Sequence, residues 1–146
     1  MKLHQDFREF IELLNKNEVK YLIIGGYAVA FHGYVRSTGD LDIWIKISSE
    51  NAQRVLKTLK EFGFGSLALD ISDFQKKYAV IQLGYPPYRI DIVTTPDGVS
   101  FDECYENKIV SKEELGIDLN FIDLDNLKKN KKSSGRPRDL LDLDNL

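Results

Sequence analysis

Two aspartates separated by one leucine, inside an otherwise apolar segment, constrain this chain more than any other feature. Asp40 and Asp42 flank Leu41, and the apolar residues 43–45 follow, a composition typical of a buried strand. Alternation along a strand puts the two carboxylates on one face, about 6.6 Å apart, and turns Leu41 to the other face. Like charges held side by side at the mouth of a sheet repel one another unless a cation lies between them. The motif therefore predicts a metal site; the alternative is a pair of exposed residues on an edge strand.

A pair of glycines precedes this motif. Gly25 and Gly26 follow residues 20–24, which are predicted to form a strand, and lie before a short helix expected over 27–32. Unpaired backbone N–H groups and the positive end of the helix would face any anion bound there. Mg²⁺ accepts a few carboxylates and completes its shell with water and phosphate oxygens. The two motifs together indicate a nucleotide site, whereas a glycine pair alone indicates only a tight turn.

A third carboxylate, Asp91, lies in the alternating segment 89–93. Ile90 and Ile92 share one face of this predicted strand, so Asp91 points with Arg89 to the other face. Taken alone, Asp91 is best explained by an ion pair with Arg89 or by a strand-end cap, because most charged side chains are simply solvated. The two preceding motifs favour a metal ligand instead.

The remaining periodicities predict one α+β domain over residues 1–146, with two layers and a mixed, mostly antiparallel sheet that has helices packed mainly on one face. The basic segment and final helix occupy 124–146. Strands 78–83 and 88–93 are expected to form an antiparallel hairpin, and 117–121 an edge strand. Further strands are predicted over 20–24 and 41–47. Helices are predicted from residue 3 to an end near 15–17, from Ser49 as N-cap to Gly63, over 101–107, after Asp123 or Asp125, and from Pro137.

Composition fits a globular protein. The 146 residues are 42% hydrophobic and 29% charged, which is enough for a sizeable core. No apolar run is long enough to span a bilayer and no signal peptide is visible, so we expect a cytoplasmic protein without a membrane partner. A lone cysteine, Cys104, excludes an internal disulfide and fits a packing role in a reducing compartment. The net charge is −3, yet cations crowd residues 128–138.

In this order and context the motifs resemble the DNA polymerase β superfamily of nucleotidyltransferases. Its signature is an apolar residue, Gly-Gly or Gly-Ser, a spacer, and Asp-x-Asp or Asp-x-Glu between apolar residues; the spacer 27–39 is at the long end here. The resemblance is closest to small bacterial AbiEii-like and MenT-like proteins. It rests there on Arg36-Ser37-Thr38, just before the acidic pair, and on the segment Gly135-Arg-Pro-Arg-Asp-Leu-Leu-Asp142.

The resemblance implies a metal-dependent transfer of an NMP from an NTP to an acceptor hydroxyl, with release of pyrophosphate. Asp40, Asp42 and Asp91 would be catalytic and would bind Mg²⁺ or Mn²⁺, and Asp91 would accept the proton of the attacking hydroxyl. Spacing does not choose between Lys131 and Lys132 as the phosphate-binding lysine. The other implied nucleotide contacts, each of which could instead be structural or solvated, are Gly25, Gly26, Arg36, Ser37, Arg136 and Asp139.

The implied partners are the NTP, an acceptor that could be RNA such as tRNA, a protein or a small molecule, and a cognate toxin or antitoxin. Two alternatives keep the same fold. A small-molecule nucleotidyltransferase of the antibiotic-modifying type would show turnover with aminoglycosides or lincosamides. A non-catalytic, antitoxin-like binding module would co-purify with a chain encoded next door and would not bind NTP; the intact acidic set argues against it.

Overall fold

The fold is α+β, as predicted, in a computed structural model that describes residues 3–112 and 116–146. The predicted domain range 1–146 includes residues 1–2 and 113–115, which lie outside this description. Six strands form one sheet in the order β3-β4-β2-β1-β6-β5. These strands are β1 (Tyr21–Ile24), β2 (Leu41–Ile45), β3 (Val80–Leu83), β4 (Ile90–Val93), β5 (Ile109–Lys112) and β6 (Asp118–Phe121).

The sheet is mixed and mostly antiparallel, also as predicted. Strand β1 pairs antiparallel with β2, β3 with β4, and β5 with β6. Strand β1 pairs parallel with β6, and β2 with β4. The parallel pairing of β2 with β4 matters most for the site, because it places the two acid-bearing strands side by side.

The helices in the described residues follow the apolar periodicity. Phe7, Phe10, Ile11 and Leu14 are buried along the first helix, as their spacing on one helical face requires. Ser48, rather than Ser49, caps the third helix by accepting a hydrogen bond from the Asn51 backbone. The helices are α1 (Gln5–Lys16), α2 (Gly25–Phe31), α3 (Ser49–Leu59), α4 (Phe101–Glu106), α5 (Leu124–Ser134) and α6 (Pro137–Asp144), with a π-helical turn at Lys60–Phe64 and a 3₁₀ turn at Ile71–Phe74.

The centre of the sheet is fully buried. Leu41, Ile43 and Ile45 on β2 have no exposed surface. At the start of β1 and the end of β2, the buried Asn51 side chain accepts a hydrogen bond from Lys20 N–H at 2.8 Å and donates to the Lys20 and Lys46 carbonyls. This amide provides hydrogen-bond partners for three backbone groups, and it fixes the β1–β2 pair at the end away from Asp42.

Several predicted boundaries need correction. Strand β5 is absent from the prediction because the adjacent apolar residues Ile109 and Val110 do not alternate with polar ones. Both are exposed in the structure. Strand β6 is therefore an inner strand rather than an edge strand, since it lies between β1 and β5. Strand β2 ends two residues before the predicted position, and β3 and β4 begin two residues later than predicted. Helix α2 begins at Gly25 rather than at residue 27.

None of the helices in residues 3–112 and 116–146 combines the length and the apolar character needed to cross a bilayer.

Candidate functional site

The pairing of β2 with β4 brings the acidic motifs together. Asp42 is in register with Ile24 of β1 on one side and with Asp91 of β4 on the other. Residues that are in register on neighbouring strands project from the same face, so the Asp42 and Asp91 side chains lie next to each other. Asp40, just before β2, joins them along one cleft of about 600 Å³.

The glycine pair forms the adjoining wall of this cleft. Gly25 has φ of +68°, and a Cβ atom there would overlap the Asp42 carboxylate. A Cβ atom on Gly26 would overlap the Thr38 side chain. The two positions therefore need glycine for close approach, and Gly25 needs it for its backbone conformation as well. The start of α2 can thus pack directly against Asp42 and Thr38.

Crowding among the carboxylates changes the acidity of Asp42. Burial, followed by the negative charges of Asp91 and Asp40, raises the Asp42 pKa from 3.8 to about 7, although Lys131 and Arg89 act in the opposite direction. Both causes disfavour the charged form of an acid. Without a bound cation, Asp42 therefore holds its proton to a higher pH than an ordinary aspartate does.

Arg89 contacts two of the three carboxylates. Its Nε donates to Asp91 Oδ1 at 2.8 Å, and its Nη2 donates to Asp91 Oδ2 at 3.1 Å and to Asp40 Oδ2 at 2.8 Å. The ion pair between Asp91 and Arg89, which the sequence offered as an alternative, is therefore present. Across the described ranges 3–112 and 116–146, no three His, Cys, Asp or Glu side chains are already grouped as a metal site.

Helices α5 and α6 bring positive charge to the opposite side of the cleft. Lys131 is only 5% exposed, and its Nζ lies 3.0 Å from Asp139 and 3.1 Å from Asp142. Arg136 donates from Nε to Asp139 at 2.8 Å while its side chain remains 75% exposed. Burial acts to raise the Asp139 pKa, but hydrogen bonds from Ser134, Arg136 and Lys131 outweigh it and lower the pKa to about 2. Asp139 is therefore fully ionised at neutral pH.

Arg36 connects this helical pair to the loop before β2. Its Nε and Nη2 donate to the two oxygens of Asp142 at 2.7 and 2.8 Å. Burial acts to raise the Asp142 pKa, but the hydrogen bonds from Arg36 and Lys131 outweigh it, so the pKa is lowered. A bidentate pair of this kind fixes orientation as well as distance. The C-terminal helix and the loop that carries Arg36 therefore form one continuous wall.

Most of the residues proposed from the sequence line this one cleft. Ser37 and Lys132 do not: both are exposed, and their neighbours Thr38 and Lys131 line the cleft instead. Of the two lysines, Lys131 is the one that lines the cleft. The predicted residues along the cleft are Gly25, Gly26, Arg36, Asp40, Asp42, Asp91, Lys131, Arg136 and Asp139.

Sequence reasoning missed other lining residues. Thr38 belongs to the segment Arg36-Ser37-Thr38, in which only Arg36 and Ser37 are predicted to contact the nucleotide, and Arg138 matches no family motif. The segment 95–97, which follows β4, and Asn130 of α5 also line the cleft. No sequence pattern predicts that segment 95–97 lines the cleft, because the position of this segment depends on where β4 ends. The pairing of Asp142 with Arg36 could have been suspected only from the opposite charges of two distant motifs.

A protein-family model matches this chain. The family described as "Nucleotidyltransferase of unknown function (DUF6036)" matches residues 1–146. No curated protein matches the chain significantly. The match covers the whole sequence, and it agrees with a cleft that is lined by a glycine pair at the start of α2 and by three neighbouring carboxylates. The chain belongs to the DUF6036 family of nucleotidyltransferases.

Proposed function

We propose that this nucleotidyltransferase is metal-dependent and transfers an NMP from an NTP to an acceptor hydroxyl, releasing pyrophosphate. The observation that carries the proposal is the β2–β4 register, which sets Asp42 beside Asp91 in a cleft whose other wall carries Lys131, Arg136 and Arg138. Carboxylates on one side suit divalent cations, and a basic wall on the other suits a triphosphate.

The donor set fits Mg²⁺ or Mn²⁺. Asp40, Asp42 and Asp91 offer only hard oxygen ligands, and burial together with repulsion from the Asp91 and Asp40 carboxylates raises the Asp42 pKa. A divalent ion relieves that repulsion, and ligands must be deprotonated to bind it. When bound, such an ion would polarise the α-phosphate and offset charge on the leaving pyrophosphate.

The chain's own side chains have separate parts in this proposal. Asp91 accepts the proton of the acceptor hydroxyl, because it lies on the strand next to Asp42 and is mostly buried. Lys131 and Arg136 bind the phosphates that leave. Lys131 is fixed by two carboxylates, so it is oriented in advance, whereas the exposed Arg136 adapts to the ligand. Preorganised charge of this kind stabilises negative charge that develops during transfer.

The acceptor can be tested with pools of candidate molecules. Purified protein is incubated with each of the four α-labelled NTPs, Mg²⁺ or Mn²⁺, and separate pools of RNA, protein and small molecules. Label in a tRNA fraction would support an AbiEii-like or MenT-like acceptor, and label on an aminoglycoside would support the antibiotic-type alternative. The variants Asp42→Asn and Asp102→Asn serve as test and control, since Asp102 is an exposed residue paired with Lys46. Absence of transfer from all four NTPs to all pools would contradict the proposal.

A further inference from the structure

Arg89 donates hydrogen bonds to two of the carboxylates that the proposed function assigns to metal ions. Both oxygens of Asp91 accept hydrogen bonds from this guanidinium, and its Nη2 also reaches Asp40. The Arg89 side chain is 24% exposed and Asp91 is 9% exposed, so water screens this contact only partly. One positive charge is therefore shared between two of the three carboxylates in the cleft.

A divalent ion shared by Asp40 and Asp91 competes with this arrangement. A single nitrogen lies within hydrogen-bond distance of both carboxylates, so an ion that bridges the same oxygens needs the space and the lone pairs that Arg89 uses. Two cations held a few ångströms apart also repel each other strongly in a site with little water.

We infer that Arg89 is the internal counter-ion of the metal-free site, and that it leaves Asp40 and Asp91 when a divalent ion binds. This inference rests on the proposed metal dependence and adds a conformational step to it. Arg89 stabilises the empty cleft and lowers its affinity for metal. If Arg89 engages the carboxylates in nine-tenths of the molecules, the apparent dissociation constant for the metal is about tenfold weaker than the intrinsic one.

A purely positioning role for Arg89 leads to the opposite expectation. If the guanidinium only holds Asp91 in the orientation that suits a metal ion, its removal loosens a ligand and weakens metal binding. The counter-ion role instead predicts tighter binding after removal. The direction of the change in metal affinity therefore separates the two roles.

The test is Mn²⁺ binding to the full chain without nucleotide, measured by electron paramagnetic resonance of free Mn²⁺ and by calorimetry. Arg89→Ala is compared with wild type and with Arg54→Ala. Arg54 pairs with Glu50 on the surface of α3, so this control makes the same change in net charge away from the cleft. Arg89→Gln, which keeps a polar side chain of similar length, replaces Arg89→Ala if the alanine variant does not fold.

We expect Arg89→Ala to bind Mn²⁺ about tenfold more tightly than wild type, and Arg54→Ala to differ from wild type by less than about twofold. Mn²⁺ should also raise the melting temperature of Arg89→Ala more than that of wild type. Equal or weaker Mn²⁺ binding by Arg89→Ala, with wild type still binding, would overturn the counter-ion role and leave the proposed function standing. If no variant binds Mn²⁺ even with NTP present, the metal dependence itself fails.

Discussion

At the scale of single residues, Asp42 is the carboxylate whose acidity depends on the other charged groups of the cleft. It is flanked in the sheet by Ile24 and Asp91, and Gly25 approaches it so closely that no side chain fits between them. Burial and two neighbouring carboxylates raise its pKa to about 7. Ionised Asp42 therefore destabilises the fold when no cation is bound, and the residue is well suited to bind a cation.

This acidity predicts a pH-dependent effect of Asp42→Asn on the metal-free protein. The folded pKa of about 7 lies above the ordinary value of 3.8, so the folded state binds the proton more tightly than the unfolded state. The contribution of Asp42 to stability is thus fully present below pH 4 and is lost as pH rises to about 7. The stability of Asp42→Asn relative to wild type should rise by roughly 3 kcal/mol between pH 5 and pH 8, at about 1.4 kcal/mol for each pH unit up to pH 7.

Melting temperatures between pH 4 and pH 8, in chelator, measure this directly. Asp102→Asn provides the control, because Asp102 is exposed and outside the cleft. A difference between Asp42→Asn and wild type that does not change with pH would contradict the raised pKa.

A second prediction concerns the close contact at Gly25. Gly25→Ala should destabilise the protein and weaken metal-dependent NTP binding, because the new methyl group displaces the Asp42 carboxylate. Gly116→Ala is the matched control: Gly116 also has positive φ, at +79°, but nothing lies within 4 Å of a Cβ built there. The backbone cost of about 1 kcal/mol is shared by both variants, so any additional loss in Gly25→Ala reports the contact. Equal melting temperatures and equal NTP affinities would show that the contact has no role.

At the scale of the elements, α5 and α6 present an uneven set of positive charges. Lys131 is buried and paired, Arg136 lines the cleft with most of its side chain exposed, and Lys132 points to solvent. Arg138, which matched no family motif, lines the cleft as well. The basic segment is therefore not a uniform solvated face, and its members should differ in their effect on NTP binding.

We expect Arg136→Ala to weaken NTP binding by about 1–2 kcal/mol, the scale of one charge-assisted hydrogen bond. Its effect on the free energy of unfolding should be small, because the side chain is 75% exposed. Lys132→Ala removes the same charge outside the cleft and should leave NTP affinity nearly unchanged. Fluorescence titration with an NTP analogue at low and high salt measures both variants. If the two variants behave alike and the effects vanish at high salt, the segment acts only as a diffuse electrostatic patch.

The elements that the sequence predicted correctly are those with clear periodicity. Helix α1 follows from the spacing of its buried apolar residues, and the β3–β4 hairpin from two alternating runs around a turn. Strand β5 lacks such a signal, since both of its large apolar residues are exposed. Thr38 lines the cleft and Ser37 does not, and the same holds for Lys131 and Lys132. In each pair the difference depends on the direction of the side chain, which a shift of one residue along the chain reverses.

At the scale of the whole molecule, the cleft is closed by a contact between distant parts of the chain. Arg36, just before β2, forms a bidentate pair with Asp142 in α6, and Lys131 of α5 contacts the same carboxylate. The acidic cluster could be predicted because its members lie at the same end of neighbouring strands. This long-range pair could not be predicted, because nothing local specifies where a C-terminal helix docks.

The pair predicts energetic coupling between the loop and the C-terminal helix. Arg36→Ala and Asp142→Ala should each destabilise the protein, and the double variant should lose about 1–3 kcal/mol less than the sum of the two. The Asp142 side chain is 1% exposed and that of Arg36 16%, so solvent weakens the interaction little. Urea denaturation of the four proteins gives the coupling energy. Strict additivity would mean that α6 docks independently of Arg36.

The central claim is that the three carboxylates and the basic wall act together in nucleotidyl transfer. The most direct measurement compares incorporation of label from α-labelled and γ-labelled NTP into an acceptor, with wild type, Asp91→Asn and the control Asp102→Asn. We predict that only the α-label is incorporated, that pyrophosphate carries the γ-label, and that Asp91→Asn lowers kcat by about 10² or more with little change in KM, while Asp102→Asn matches wild type. Incorporation of the γ-label, or an Asp91→Asn variant as active as wild type, would contradict the account.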